Sequence, residues 1–159
     1  MADDYLERLW QIGPAMTEII PHSKALGIRF VAVDKGRATL SLPYNPELIG
    51  DPETRVLHGG AVSTLLDQAC GLAAVAGFKA SIGCATLNLS IDYMRSAVPG
   101  KTIIATAECL KATKRVAFLR AVAYDSDETD PIAICQATFM ATSTKSFAPN
   151  VDELKGQTT

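Results

Sequence analysis

Histidine is scarce in this chain, with two residues, His22 and His58, among 159. Neither sits in a cluster of ligands, so no resident metal and no cofactor is expected. The four cysteines, Cys70, Cys84, Cys109 and Cys135, lack any C-x-x-C pair. They read as small buried fillers in a reducing compartment. An excess of basic charge is also missing. Lys and Arg total 15 against 17 Asp and Glu, a net charge of −2, which argues against a nucleic-acid binder with a large positive field. No uninterrupted apolar run approaches ~20 residues, so no membrane span is expected. The opening Met1-Ala2-Asp3-Asp4-Tyr5-Leu6-Glu7-Arg8 is acidic with no apolar core region behind it, so no signal peptide is expected and the setting is the cytoplasm. Internal repeats and domain linkers are absent.

What is present reads as one domain. Residues 3–20 form an amphipathic helix, with Leu6, Leu9, Trp10, Ile12, Met16, Ile19 and Ile20 near helical spacing and an interruption at Gly13-Pro14. Pro21-His22-Ser23 ends it, with His22 as a surface turn residue. Leu26–Val33 reads as a strand, Asp34-Lys35-Gly36 as a turn and Arg37–Leu42 as a second strand. Residues 43–55 carry three prolines and predict a long, irregular connection of the kind that often carries function. After a helix closing near Gly77, Ser81–Tyr93 alternates, with Leu87, Leu89, Ile91 and Tyr93 on one face and Thr86, Asn88, Ser90 and Asp92 on the other. Lys101–Leu110, Val116–Tyr124 and Pro131–Thr144 complete a meander, and residues 145–159 form a polar tail. Short connections imply an antiparallel sheet. The fold class is therefore α+β: about six strands wrapped around one long central helix, with an N-terminal helix and lead-in over 1–25 and a single domain over 26–144.

That central helix follows Leu57-His58-Gly59-Gly60 and is apolar nearly all round, yet it carries Asp67 in its middle. A buried carboxylate is costly unless paired or hydrogen-bonded. Read blandly, Asp67 lies on a wet stripe with Ser63, Thr64 and Gln68, and the glycines make a tight turn. Read functionally, the helix N-terminus offers free N–H groups and partial positive charge, and glycine lets a ligand approach that backbone. Gly59 and Asp67 are eight residues apart, about 12 Å along one helix. One chain cannot bring both to a single carbonyl. Two antiparallel copies across a twofold axis can, so the helix predicts a homodimer with two equivalent sites.

The run Leu57-His58-Gly59-Gly60, the acid nine residues after the histidine, and a strand ending Asp92-Tyr93-Met94-Arg95-Ser96-Ala97 resemble the PaaI-like acyl-CoA thioesterases of the hotdog fold, over roughly Leu26 to Thr144. The resemblance implies that Gly59 supplies the N–H that polarises the thioester carbonyl. It implies that Asp67 of the partner subunit acts as general base or nucleophile. His58 would orient the site and Thr86 would help to position water. Gly60 would border the substrate. Many relatives carry Asn or Gln about six residues before the histidine; this chain has Asp51-Pro52-Glu53 there, which makes Asp51 the substrate-side candidate. Coenzyme A enters as part of the substrate, and its phosphates call for cations, for which Arg95, Lys111, Lys114 and Arg115 are candidates. Phe30, Val62, Leu66, Leu72, Phe78 and Ile82 are candidates for the acyl pocket.

The leading expectation is hydrolysis of a medium-chain or aromatic acyl-CoA by a homodimer, or a dimer of dimers. A hotdog enoyl-CoA hydratase or dehydratase would use a histidine base within motifs not found here. A non-enzymatic acyl-CoA sensor would have little reason to keep a buried carboxylate.

Overall fold

The computed structural model describes residues 2–78 and 83–142. In chain order these form α1 (Ala2–Ile19), α2 (Pro21–Leu26), β1 (Arg29–Asp34), β2 (Arg37–Leu42), a 3₁₀ turn (Pro46–Leu48), α3 (Gly59–Phe78), β3 (Gly83–Tyr93), β4 (Ile103–Ala112), β5 (Val116–Tyr124) and β6 (Ala133–Thr142). The strands make one antiparallel sheet in the order β1-β2-β4-β5-β6-β3, and the sheet curls around α3 as the resemblance implies. Ile82 and the tail 145–159 lie outside the described residues, as do the outer ends of the strands expected at 81–82 and 143–144.

Strand periodicity explains the sheet. In β5, Ala117, Leu119, Ala121 and Ala123 are buried while Phe118 and Arg120 face outward. The inward positions of the central strands are mostly alanine, including Ala105 and Ala107 on β4, and their small side chains let a helix lie close against the sheet. Leu65, Leu66, Ala69, Cys70, Ala73 and Ala74 of α3 are wholly buried there. By length and composition alone α3 is apolar enough to cross a membrane, although Ser63, Thr64, Asp67 and Gln68 interrupt its apolar run. Its burial instead marks it as the core helix of the sheet.

The N-terminal segment shares this core rather than merely leading into it. Leu9 on α1 is buried, and Trp10 meets Phe30 of β1 edge-on at 5.3 Å. A side chain at Gly13 would strike the Phe30 ring at 2.5 Å. Chain 21–27, read as the end of one helix and the start of a strand, is a helix of its own. Pro21 stands at its first turn and Gly27 closes it at φ +77°, the ordinary proline-start and glycine-stop signals. Leu26 is therefore helical, and the strand begins at Arg29.

The pairing of β3 with β6 corrects the face assignment on β3. Thr86 opposes Phe139 and Asn88 opposes Thr138, so Leu87 is an extra bulged residue between them. The bulge shifts the alternation by one. Thr86 therefore shares the α3-facing side with Leu89, Ile91 and Tyr93, while Asn88, Ser90 and Asp92 point outward.

Candidate active site

The irregular segment before α3 is a brace for its first turn. Ile49 pairs with Leu57, Gly50 N–H donates to the Val56 carbonyl at 2.9 Å, and His58 N–H to the Leu48 carbonyl at 2.8 Å. Backbone approaches so closely that a side chain at Gly50 would meet His58 Cα at 2.8 Å. Asp51 is occupied within this loop: its Oδ2 accepts from Thr54 Oγ1 at 2.6 Å and its Oδ1 from the Glu53 N–H at 3.0 Å. These bonds, the Thr54 hydroxyl first, hold its carboxyl below the usual range. The Asp51 carboxylate thus builds the loop and does not extend toward a substrate.

His58 caps α3. Its Nδ1 accepts the Gly60 N–H at 2.8 Å, and its carbonyl accepts the Ala61 N–H at 3.0 Å. The Gly60 donor, expected to border the substrate, is therefore engaged. The Gly59 N–H has no acceptor among the described residues, as the first donors of a helix normally lack one. Tyr93, at the end of β3, donates to the Gly59 carbonyl at 2.7 Å and fixes this residue from the opposite side. Tyr93 was not among the expected site residues, although its phase with Leu89 and Ile91 on β3 already aimed it at the helix.

Asp67 lies two turns further along α3 and is half-buried. Thr86 Oγ1 donates to its Oδ1 at 2.8 Å, a contact that exists because the Leu87 bulge turns Thr86 inward. Oδ2 has no hydrogen-bond partner among the described residues. Asp67 belongs to a partly open stripe of α3 that runs through Ser63, Thr64, Gln68, Gly71, Val75 and Phe78. His22 of α2 reaches the same stripe, with Nε2 3.3 Å from Thr64 Oγ1, a long-range approach that no local pattern announces. Cys84, two residues before Thr86, donates weakly to the Gly71 carbonyl at 3.5 Å. Burial first, and the Asp67 charge second, push its thiol up to about 11.

The other candidates fall elsewhere. Val62 and Leu66 are buried at 3% and 0% exposure on the sheet-facing side of α3, so they are core and do not line the stripe. Leu72 is likewise buried, and Phe30 packs beneath α1 at the opposite sheet edge. Phe78 is on the stripe. Arg95 is fully engaged. Its guanidinium meets Asp125 at 2.8 Å, Asp130 at 3.1 Å and the carbonyls of Ser96 and Asp130, which leaves no donor for a phosphate. Lys111, Lys114 and Arg115 are exposed on or beside the β4–β5 turn. That turn lies by the C-terminal end of α3, where Gly77 meets Cys109 and Ala112. Gly77 is about 27 Å from Gly59 along the helix axis. A separate cleft of about 400 Å³ beside α1, lined by Trp10, Val33 and Arg37 among others, opens at the β1 edge away from Asp67. Among the described residues no His, Cys, Asp or Glu cluster could hold a metal.

A helix-end donor and a hydrogen-bonded carboxylate along a partly open helix face are the parts that thioester hydrolysis requires. Comparison with known proteins agrees. The Thioesterase superfamily model matches residues 55–132, a span holding both Gly59 and Asp67. The chain is 28% identical over 142 residues to the medium/long-chain acyl-CoA thioesterase YigI of Salmonella typhimurium, covering 81% of this chain and 90% of that one. It is 30% identical over 101 residues to the acyl-coenzyme A thioesterase PaaI of Escherichia coli, covering 64% of this chain and 69% of that one. A crystal structure of a Pseudomonas aeruginosa protein superposes with a TM-score of 0.75 at 39% identity, over 87% of this chain and 99% of that one. The chain thus belongs to the thioesterase superfamily, as a PaaI-like hotdog thioesterase that hydrolyses acyl-CoA.

Proposed function

We propose that the protein hydrolyses a medium-chain or aromatic acyl-CoA at two equivalent sites of a homodimer. In each site the Gly59 N–H of one protomer polarises the thioester carbonyl, and the partner subunit's Asp67 activates water. The observation that carries this reading is the pairing of an unengaged Gly59 N–H with an Asp67 held by Thr86 on the same helix, about 12 Å apart along its axis. The separation is too long for one carbonyl, and a twofold axis removes it. The edge of the sheet supports such an axis. β3 is an edge strand of 11 residues, and Leu87, Tyr93 and Met94 on and just beyond it are 50–60% exposed. A long apolar edge of this kind needs a cover. A dimer of dimers and a cytoplasmic setting complete the proposal.

In the reaction, water attacks the carbonyl carbon while Asp67 takes its proton, and the developing oxyanion is held by the Gly59 N–H at the positive end of α3. The C–S bond then breaks, and the proton passes to the sulfur to release coenzyme A thiol and free acid. An equally balanced variant has Asp67 attack first and water cleave the resulting anhydride. Thr86 would fix the carboxylate in either case. The homologue's medium/long-chain designation supports a linear acyl group. The test is thiol release across an acyl-CoA panel with wild type, Asp67→Asn and Asp67→Ala. Both substitutions are expected to lower turnover by ~10²-fold or more, as for loss of a general base. Near-wild-type turnover in either would remove Asp67 from this role.

A further inference from the structure

One strand makes a hydrogen bond to each half of the proposed reaction centre. Thr86 of β3 donates to Asp67 at 2.8 Å, and Tyr93, at the end of the same strand, donates to the Gly59 carbonyl at 2.7 Å. The first bond steadies the acid. The second falls on the residue that carries the free N–H donor.

The peptide that Tyr93 grips has little stiffness of its own. It joins Gly59 to Gly60, and glycine leaves the dihedrals on both sides of it free. The helix cannot restrain its N–H, because the first donors of a helix have no intrahelical acceptor. Side chains take over at both ends of the peptide. His58 Nδ1 accepts the Gly60 N–H at 2.8 Å, and the Tyr93 hydroxyl donates to the Gly59 carbonyl opposite. Ser63 Oγ also reaches that carbonyl, at 3.2 Å, and the Gly60 carbonyl at 3.0 Å. Ser63 lies on α3 and His58 directly precedes it, so both move with the helix start. Tyr93 is 34 residues away in sequence and ties the turn to the sheet. Its ring lies along Gly59, where a methyl group would meet Cζ and the hydroxyl at 3.5 Å.

On the thioesterase reading above, we infer that Tyr93 is a positioning residue, which holds the Gly59 N–H in place through the Gly59–Gly60 peptide. A donor stabilises an oxyanion most when its direction is fixed before reaction, and an unanchored glycine pair would give that up. Thr86 and Tyr93 then do matching work roughly 20 Å apart along β3, one for the acid and one for the donor.

The test is Tyr93→Phe, which keeps the ring and removes the hydroxyl. Tyr93 is 50% exposed, so the change opens no core cavity, and melting should fall by about 5 °C at most. Thiol release across an acyl-CoA panel should show kcat lower by about tenfold, part of the ~10²–10³ that loss of such a donor costs. KM should stay within about twofold, as for an interaction felt in the transition state. Added to Gly59→Pro, which has no N–H to place, Tyr93→Phe should leave the residual rate unchanged. Added to Thr86→Ala, its loss should multiply with the other. Amide exchange at Gly60, followed by NMR without substrate, should accelerate about fivefold or more, the equivalent of one hydrogen bond. An unchanged kcat, an effect confined to KM, or an equal loss in the Gly59→Pro background would overturn the role, as would unaltered Gly60 exchange. Wild type inert toward every acyl-CoA would instead overturn the thioesterase reading, and the exchange rates would still decide whether Tyr93 holds the turn.

Discussion

At the scale of single residues, the site depends on how few hydrogen bonds reach each reacting group. Among the described residues Asp67 has one hydrogen-bond partner, Thr86 Oγ1, so the orientation of its other oxygen hangs on that bond. Thr86→Ala is expected to lower kcat about tenfold, the equivalent of one hydrogen bond to a charged group, and Thr86→Ser should restore most of it. Equal losses in both variants would mean that the threonine methyl, not the hydroxyl, does the positioning. Cys84 offers a pH reading of the same neighbourhood. Burial and the nearby Asp67 charge push its thiol up to about 11, so it is protonated at neutral pH and becomes a nucleophile only as pH rises through that value. Alkylation of Cys84, followed by mass spectrometry on the folded protein, should be negligible at pH 7 and accelerate above pH 10. Rapid labelling at pH 7 would show the thiol to be neither buried nor close to a charge.

At the scale of elements, two connections set the frame. One is the ion pair that joins the chain after β3 to the end of β5. The Asp125 side chain is 1% exposed and bonds Arg95 at 2.8 Å and the Val98 N–H at 2.7 Å. The Arg95 guanidinium, followed by smaller contributions, holds its carboxyl below the ordinary 3.8. The stabilisation is therefore present above that pH and fades as pH falls through the lowered folded value. Arg95→Ala strands a buried carboxylate at a cost of about 2–3 kcal/mol, or roughly 5–10 °C in Tm for a domain of this size. The difference from wild type should be greatest near neutrality and shrink in acid; a gap that widens in acid would contradict the assignment. The other connection is the Leu87 bulge, which explains how far sequence could see. The limits of β2 and β5, the start of α3 and the His58-to-Asp67 spacing were legible because periodicity and end signals are local. The bulge was not, since Leu87 continues the apolar alternation and only pairing with β6 shows the extra residue. Pro21 and Gly27 did mark α2, but apolar Leu26 drew that segment into a strand. A helix apolar nearly all round likewise hides which side meets the sheet, so Val62 and Leu66 were expected at the pocket and belong to the core. Arg95 was read as a phosphate ligand because its partner Asp125 lies thirty residues away.

At the scale of the whole molecule, the proposed reaction centre is divided between two protomers, with Gly59 and Asp67 of each serving different sites. The sheet ends on one side in a long apolar edge, and α3 lies behind it with its open stripe turned outward. The proposed dimer covers that edge and brings opposite ends of two helices together. The most direct measurement of this claim is complementation between two inactive variants. Gly59→Pro removes the N–H donor while keeping a residue favoured in the first turn of a helix, and Asp67→Asn removes the base. Refolded alone, each should be at least ~10²-fold slower than wild type. Refolded together, random pairing makes half of the dimers mixed, and each mixed dimer has one intact and one doubly defective site, so thiol release should recover to about a quarter of wild type. No recovery from a mixture proven to contain mixed dimers would place both groups of each site in one chain and contradict the account.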